Sequence, residues 1–238
     1  MQNTFEKRFY VRTSDFDCYN RLRPSSILDF FQDVAGEHAK HLGIGREEMI
    51  KQDIAWVLTK IRYESVGEPC MFEKITVKTW PHPPARLGFV RDYTITGEDG
   101  RLLVKGSSEW VLISLSRRRL VRMENPYPLT DFCADQSFPE GFLRLPRPMG
   151  QGEALSFVPR FADLDVNGHV NNIRYTDYAL ELCPPTADTP IRAMQIEFHR
   201  EVLPGVYLHM GEDEAESGHF IYGKNDAGEL LFSCLING

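Results

Sequence analysis

Arg12-Thr13-Ser14-Asp15-Phe16-Asp17 and Arg160-Phe161-Ala162-Asp163-Leu164-Asp165 share the pattern Arg-x-x-Asp-apolar-Asp, 148 positions apart. Each hexapeptide runs into a short polar turn and then into a helical pattern. Two further matches follow in the same order. Ile61-Arg62-Tyr63 with Pro69 aligns with Ile196-Glu197-Phe198 with Pro204 at an offset of 135, and Gly100-Arg101-Leu102-Leu103 aligns with Gly228-Glu229-Leu230-Leu231 at 128. Three matches in order, with a shrinking offset, mark a duplicated domain whose first copy has the longer loops.

Within the first copy, Pro24-Ser25-Ser26 opens a helix with serine as the expected cap. Ile27, Leu28, Phe30, Phe31, Val34, Ala35 and His38 then recur at helical spacing until Gly43, a stripe wide enough for a helix covered on several sides. A short helix is expected between Gly45 and Gln52. Strands follow over Trp56–Tyr63, Glu73–Trp80, Leu87–Thr96 and Leu102–Leu115, with Gly97-Glu98-Asp99-Gly100 as a hairpin turn. The second copy repeats the order. Its helix runs from about Asn172 to Cys183 and stops at Pro184-Pro185; strands follow over Ile191–His199, Val206–Glu214, Gly218–Lys224 and Glu229–Ile236. Pro126, Pro128, Pro139, Pro146 and Pro148 between the copies read as an extended linker. The expected plan is α+β, with a first half over 1–122, a proline-rich linker over 123–150 and a second half over 151–238.

Composition narrows the class. Of 238 residues, 42% are apolar, 26% charged and 11% aromatic, which excludes disordered, collagen-like and disulfide-scaffold chains. No apolar run reaches the ~18 residues that a membrane-spanning helix needs, so no membrane partner is expected. The opening residues lack the apolar stretch of a signal peptide, and the five cysteines are odd in number and form no Cys-x-x-Cys pair. Both features lead to the expectation of a cytoplasmic protein without disulfides or a zinc site. A net charge of −7 argues against nucleic acid as partner.

The densest polar cluster is Asp163-Leu164-Asp165-Val166-Asn167-Gly168-His169-Val170-Asn171-Asn172, just before the second helix. Asn171 or Asn172 reads equally well as a helix cap. Asp165, Asn167 and His169 alternate, which on an extended segment puts three polar side chains on one side. The first copy has Asp17, Tyr19 and Arg21 at those places, so the frame repeats and the Asn and His do not. Only the second copy is expected to be chemically competent. His38 and His41 stand one helical turn apart with no carboxylate or cysteine pattern beside them, and no Gly-rich phosphate loop or Gly-x-Ser-x-Gly elbow is present. Neither a metal nor a cofactor is expected.

That decapeptide, followed by Tyr175 and Leu180-Glu181, closely resembles the signature of acyl-acyl-carrier-protein thioesterases, which end fatty-acid synthesis by hydrolysing the acyl chain from its carrier. Repeat, length and linker agree, so the resemblance covers nearly the whole chain. It implies a tandem (double) hot-dog fold, each half a curved antiparallel sheet wrapped around a long helix, and a thiolester hydrolase that releases free fatty acid. It implies Asp165, Asn167 and His169 as catalytic positions. Through Glu197-Phe198-His199-Arg200-Glu201 it adds Glu201, which by residue type alone would be read as a salt-bridge partner of Arg200. Some plant members carry a cysteine after that Glu; here the residue is Val202, so water is the expected nucleophile.

These residue types suit the reaction, which needs a deprotonated water, a group that orients it and donors for a developing oxyanion. The expected roles are Glu201 as general base, His169 and Asn167 as positioning groups, and Asp165 as their brace. Backbone N–H groups from Val170 to Asn172 are expected to polarise the thioester. Acyl carrier protein, the implied partner, is acidic, and Arg117-Arg118-Arg119 with Arg122, or Arg144 with Arg147, are candidate docking patches. The helix from Ile27 to Leu42, with Met49 and Trp56, is a candidate wall for the acyl chain and equally a candidate core. A coenzyme A thioesterase, a hot-dog hydratase or dehydratase, and a non-catalytic acyl-binding module fit the same plan; monomer and homodimer are both open.

Overall fold

The computed structural model describes residues 3–85, 88–150 and 153–238. Leu87 and residue 151, expected to open a strand and the second half, lie outside the described residues. The chain divides into two compact units, Met1–Gly141 and Phe142–Gly238.

The first unit contains β1 (Phe5–Tyr10), α1 (Pro24–His41), α2 (Arg46–Lys51), β2 (Ile54–Ser65), β3 (Lys74–Pro81), β4 (Phe89–Thr96), β5 (Leu102–Ser114) and the short β6 (Arg119–Leu120). Its strands pair antiparallel in the order β1-β3-β4-β5-β2, with β6 on the end of β5. The second unit contains β7 (Leu155–Phe157), α3 (Arg174–Leu182), β8 (Ala193–Phe198), β9 (Leu208–Ala215), β10 (Gly218–Lys224) and β11 (Leu230–Asn237). Its order, β7-β9-β10-β11-β8, is the same path strand for strand. The duplication is therefore one of topology as well as sequence.

Backbone conformation repeats too. Asn20, Phe72 and Gly100 have positive φ in the first unit, and Gly168, Gly205 and Gly228 have it in the second. These pairs give offsets of 148, 133 and 128. The first and last agree with the sequence matches; the middle one corrects the offset of 135. Hydrogen bonds support the correction: Val66 and Gly67 N–H donate to Leu103 O, as His199 and Arg200 N–H donate to Leu231 O. A shift of two residues keeps every side chain on the same face of a strand, so an in/out pattern cannot distinguish 133 from 135.

Helix α1 buries Ile27, Leu28, Phe30, Phe31, Val34 and Ala35, each contributing roughly 1.5–3 kcal/mol when large and fully covered. Phe31 stacks on Tyr93 of β4 with ring centroids 4.3 Å apart. It also lies against Gly106 of β5, where an added Cβ would sit 2.2 Å from the ring, so the close approach of helix and sheet requires glycine there. The expected serine cap is absent. Pro24 is already helical, Arg23 occupies the cap position without a side-chain cap bond, and the ring pre-sets the first turn instead.

The two leading strands were not anticipated. In β1, Phe5, Lys7 and Phe9 are the half-buried positions; Phe9 packs on Phe30 at 5.0 Å, and Lys7, between Phe5 and Phe9 on the strand, donates its ammonium to Glu37 at 2.9 Å. A lysine whose stem packs inward hides the alternation. The proline-rich segment is extended but anchored. Tyr127, Leu129 and Phe138 are buried, and the Arg62 guanidinium covers Phe138 and donates to Gly141 O. In the second unit the Gln195 amide bonds both backbone groups of Leu143.

Candidate active site

In the second unit the polar decapeptide forms a closed turn rather than an extended segment. A 3-10 turn over Phe161–Asp163 leads into a bridge between Leu164 and Val170. Inside it, Asp165 N–H donates to His169 O at 2.8 Å, and Gly168 N–H to Asp165 O at 3.0 Å. The Asp165 carboxylate fills the turn. Its Oδ1 accepts from the backbone N–H of Asn167 (2.8 Å) and of His169 (3.2 Å), and its Oδ2 from the Asn167 amide (3.0 Å). The three residues are brought together by this brace and not by strand alternation, which corrects the geometric expectation.

Glu201 reaches the turn from beyond β8. The N–H of Val170, next to His169, donates to the carbonyl of Val202, next to Glu201, at 3.0 Å. This bond aligns the two segments and leaves Glu201 Oε2 3.6 Å from His169 Nε2, with both side chains about a third exposed (36% and 34%). The separation is longer than a direct hydrogen bond. Arg200, the salt-bridge partner expected of Glu201 from residue type alone, pairs instead with Glu229 at 3.0 Å.

Two of the backbone donors expected to polarise a substrate are engaged. Val170 N–H serves Val202 O and Asn171 N–H serves Asp163 O, while α3 begins at Arg174, two residues later than expected. Asn171 does act near the helix start: its side-chain oxygen accepts the Ile173 N–H at 3.1 Å. Tyr175, which sequence reasoning passed over as a flank of the motif, lies within electrostatic reach of Glu201 and Asp165. Its ring is buried edge-on against Phe198 and Phe232. Burial holds its phenol well above the usual tyrosine range; the nearby Val202 N–H opposes that rise, and the carboxylates of Glu201 and Asp165 add to it. Tyr175 therefore stays protonated beside both acids.

The first unit has the same turn in its backbone bonds, without the side-chain amide bond to the aspartate. Phe16 bridges Leu22; Asp17 N–H donates to Arg21 O at 2.8 Å and Asn20 N–H to Asp17 O at 3.2 Å. The Asp17 carboxylate accepts from Tyr19 N–H and Arg21 N–H at 2.8 and 2.9 Å. The corrected offset makes Glu68 the counterpart of Glu201. Its Oε2 takes the N–H of Leu22, at 3.1 Å, the counterpart of Val170.

Residues 2–128 match the description Acyl-ACP thioesterase N-terminal domain, and residues 147–229 match Acyl-ACP thioesterase C-terminal domain. The chain belongs to the acyl-ACP thioesterase family. The candidate turn and Glu201 both fall in the part matched to that family's C-terminal domain. A chloroplastic acyl-[acyl-carrier-protein] hydrolase of Cuphea viscosissima is 27% identical over 213 residues, covering 83% of this chain and 52% of the relative. A chloroplastic oleoyl-acyl carrier protein thioesterase of Arabidopsis thaliana is 26% identical, covering 83% and 59%. The chain thus spans about half the length of the first of these relatives. Among solved structures, an acyl-ACP thioesterase from Bacteroides thetaiotaomicron superposes with a TM-score of 0.89 at 23% identity, covering 99% of this chain and 97% of that one. The 12:0-ACP thioesterase from Umbellularia californica gives 0.87 at 20%, covering 100% and 97%. The fold is the double hot-dog of these thioesterases, as the motif resemblance implied.

Elsewhere, Arg117 and Arg118 lie in the exposed turn between β5 and β6, Arg119 opens β6, and Arg122 follows in the exposed chain. Arg144 and Arg147 are exposed in the extended segment. All five cysteines are unpaired thiols.

Proposed function

We propose that this chain hydrolyses the thioester of acyl chains carried on acyl carrier protein and releases free fatty acid. The observation that carries the proposal is the facing pair His169 and Glu201, registered by the Val170–Val202 hydrogen bond beside a turn braced by Asp165. Membership of the family and the activities of its similar relatives support the choice of reaction and substrate.

In this reading a water between substrate and carboxylate gives its proton to Glu201 as its oxygen attacks the thioester carbonyl carbon. His169 orients that water and steadies the charge on Glu201. The carbon–sulfur bond then breaks, and the departing thiolate takes the proton back. Asn167 and His169 keep their places because Asp165 holds their backbone and the Asn167 amide. Tyr175 supplies a neutral O–H next to the acids. Asp165 is a positioning residue, since its acceptor sites are turned onto the loop itself.

The acidic carrier requires a local basic patch on a chain of net charge −7. We assign docking to Arg117, Arg118, Arg119 and Arg122, with Arg144 and Arg147 as the second choice. The reading has the enzyme working in the cytoplasm. Matched acyl chains on carrier protein and on coenzyme A test the substrate: kcat/KM is expected to be higher on the carrier. Equal or reversed preference would assign the site to a coenzyme A thioesterase, and no turnover on either would leave an acyl-binding module.

A further inference from the structure

The corner of the first unit that matches the candidate site keeps the aspartate-braced turn and the glutamate, while Leu22 N–H goes to the Glu68 carboxylate instead of to a backbone carbonyl and Ile27 stands where Tyr175 stands. Asp17 closes the same turn with the same two backbone bonds that Asp165 accepts. Glu68 is the counterpart of Glu201 in the chain, and its Oε2 accepts the N–H of Leu22, next to position 21, at 3.1 Å, where Glu201 instead faces the side chain of His169. Asn20 adopts the positive φ that Gly168 adopts in the second turn, a conformation asparagine tolerates. The differences are Tyr19 in place of Asn167 and Arg21 in place of His169, with the Arg21 guanidinium over the Tyr19 ring at 5.6 Å. Arginine has five donors, no acceptor and a pKa above ~12, so it cannot share a proton with a neighbouring carboxylate and water as an imidazole does.

We infer that the first unit contains a second acyl-thioester-hydrolysing site, built on Asp17 and Glu68 and silenced by Tyr19 and Arg21. The inference rests on the reading of the second unit given under Proposed function. With asparagine and histidine at positions 19 and 21, Glu68 takes a proton from water as the water oxygen bonds to the thioester carbonyl carbon. The carbon–sulfur bond breaks, and the thiolate leaves with that proton. The products are a carboxylic acid and a thiol, with no other reactant. The substrate class is the same as for the second unit, an acyl thioester.

The test starts from the full chain with Glu201→Gln, whose loss of hydrolysis is measured first with a short-chain acyl thioester and a thiol-detecting reagent. Adding Tyr19→Asn and Arg21→His is expected to raise hydrolysis about 10²-fold over that parent, the low end of what a positioned general base supplies. Adding Glu68→Gln is expected to return it to the parent level. The new side chains are those the same turn already holds in the second unit, and a thermal melt confirms folding. Arg21→His by itself, the milder change, is expected to give a smaller rise with the same dependence on Glu68. Parent-level hydrolysis in both folded variants would overturn the inference, as would a rise that survives Glu68→Gln. Full activity in the Glu201→Gln parent would overturn the reading of the second unit and this inference with it, and is seen before the other substitutions are made.

Discussion

His169 and Glu201 come from segments 32 residues apart, yet a single backbone bond between their neighbours, Val170 N–H to Val202 O, registers them. Their side chains then face each other at 3.6 Å. Val202 is 1% exposed, so the registering peptide is packed in place while the two candidate side chains reach solvent. Rigid backbone behind open side chains is the arrangement that hydrolysis of a bulky substrate requires.

The brace and the chemistry separate when the two aspartates are compared. Asp165→Ala removes the acceptor for three hydrogen bonds and Asp17→Ala for two. Each is expected to destabilise its unit by about 1 kcal/mol, since the turns are partly solvated. Asp165→Ala should also lower kcat by an order of magnitude or more, while Asp17→Ala leaves kcat within about twofold. Urea unfolding together with steady-state kinetics checks both; equal loss of kcat in the two variants would contradict the assignment.

Close packing at Gly106 gives a stability prediction for the first unit. Gly106→Ala forces the Phe31 ring away from Tyr93 and is expected to cost about 1–3 kcal/mol. Phe31→Leu makes room for the new methyl group, so the double variant should be more stable than the sum of the singles allows. Strict additivity in denaturant unfolding would show that the methyl meets no resistance from Phe31.

A pH effect is expected at His209. Its Nε2 lies 2.9 Å from Asp226 and its Nδ1 3.2 Å from Glu153, with Ser156 Oγ at 2.6 Å from Nδ1. The Asp226 bond, then the Glu153 bond, raise the imidazole pKa above its ordinary value. A raised folded-state pKa means that the contribution to stability is complete below ~6.5, the unfolded value, and is lost as pH rises through the folded one. The melting-temperature gap between wild type and His209→Gln should therefore shrink between mildly acidic and alkaline pH, and more salt should reduce it. A gap that widens with pH would reverse the sign.

The docking assignment is checked by charge reversal. Arg118→Glu with Arg119→Glu is expected to raise KM for carrier-bound substrate severalfold and to leave hydrolysis of a small thioester alone. An unchanged KM removes the β5–β6 turn from the docking surface.

The sequence made the helix–sheet succession legible because α1 carries an unbroken apolar stripe and the glycine-marked turns at Gly100 and Gly228 separate clear strand patterns. The polar turn was legible as a composition, since nothing else between Asp163 and Asn172 explains so many polar side chains. Its shape was not: Asp165 closes it through its own carboxylate, and alternation along a sequence cannot report a side chain turned back on its backbone. The place of Glu201 came from motif resemblance, and its counterpart Glu68 stayed hidden behind a two-residue register ambiguity that strand periodicity cannot resolve. Tyr175 was invisible for another reason, because a tyrosine among apolar helix positions reads as core until its neighbours are known.

The account turns on Glu201 acting as base opposite His169. The direct measurement is kcat for Glu201→Gln on carrier-bound acyl substrate, with folding verified by an unchanged melt. The account predicts a fall of about 10²–10⁴ in kcat with little change in KM; turnover within a few fold of wild type would contradict it.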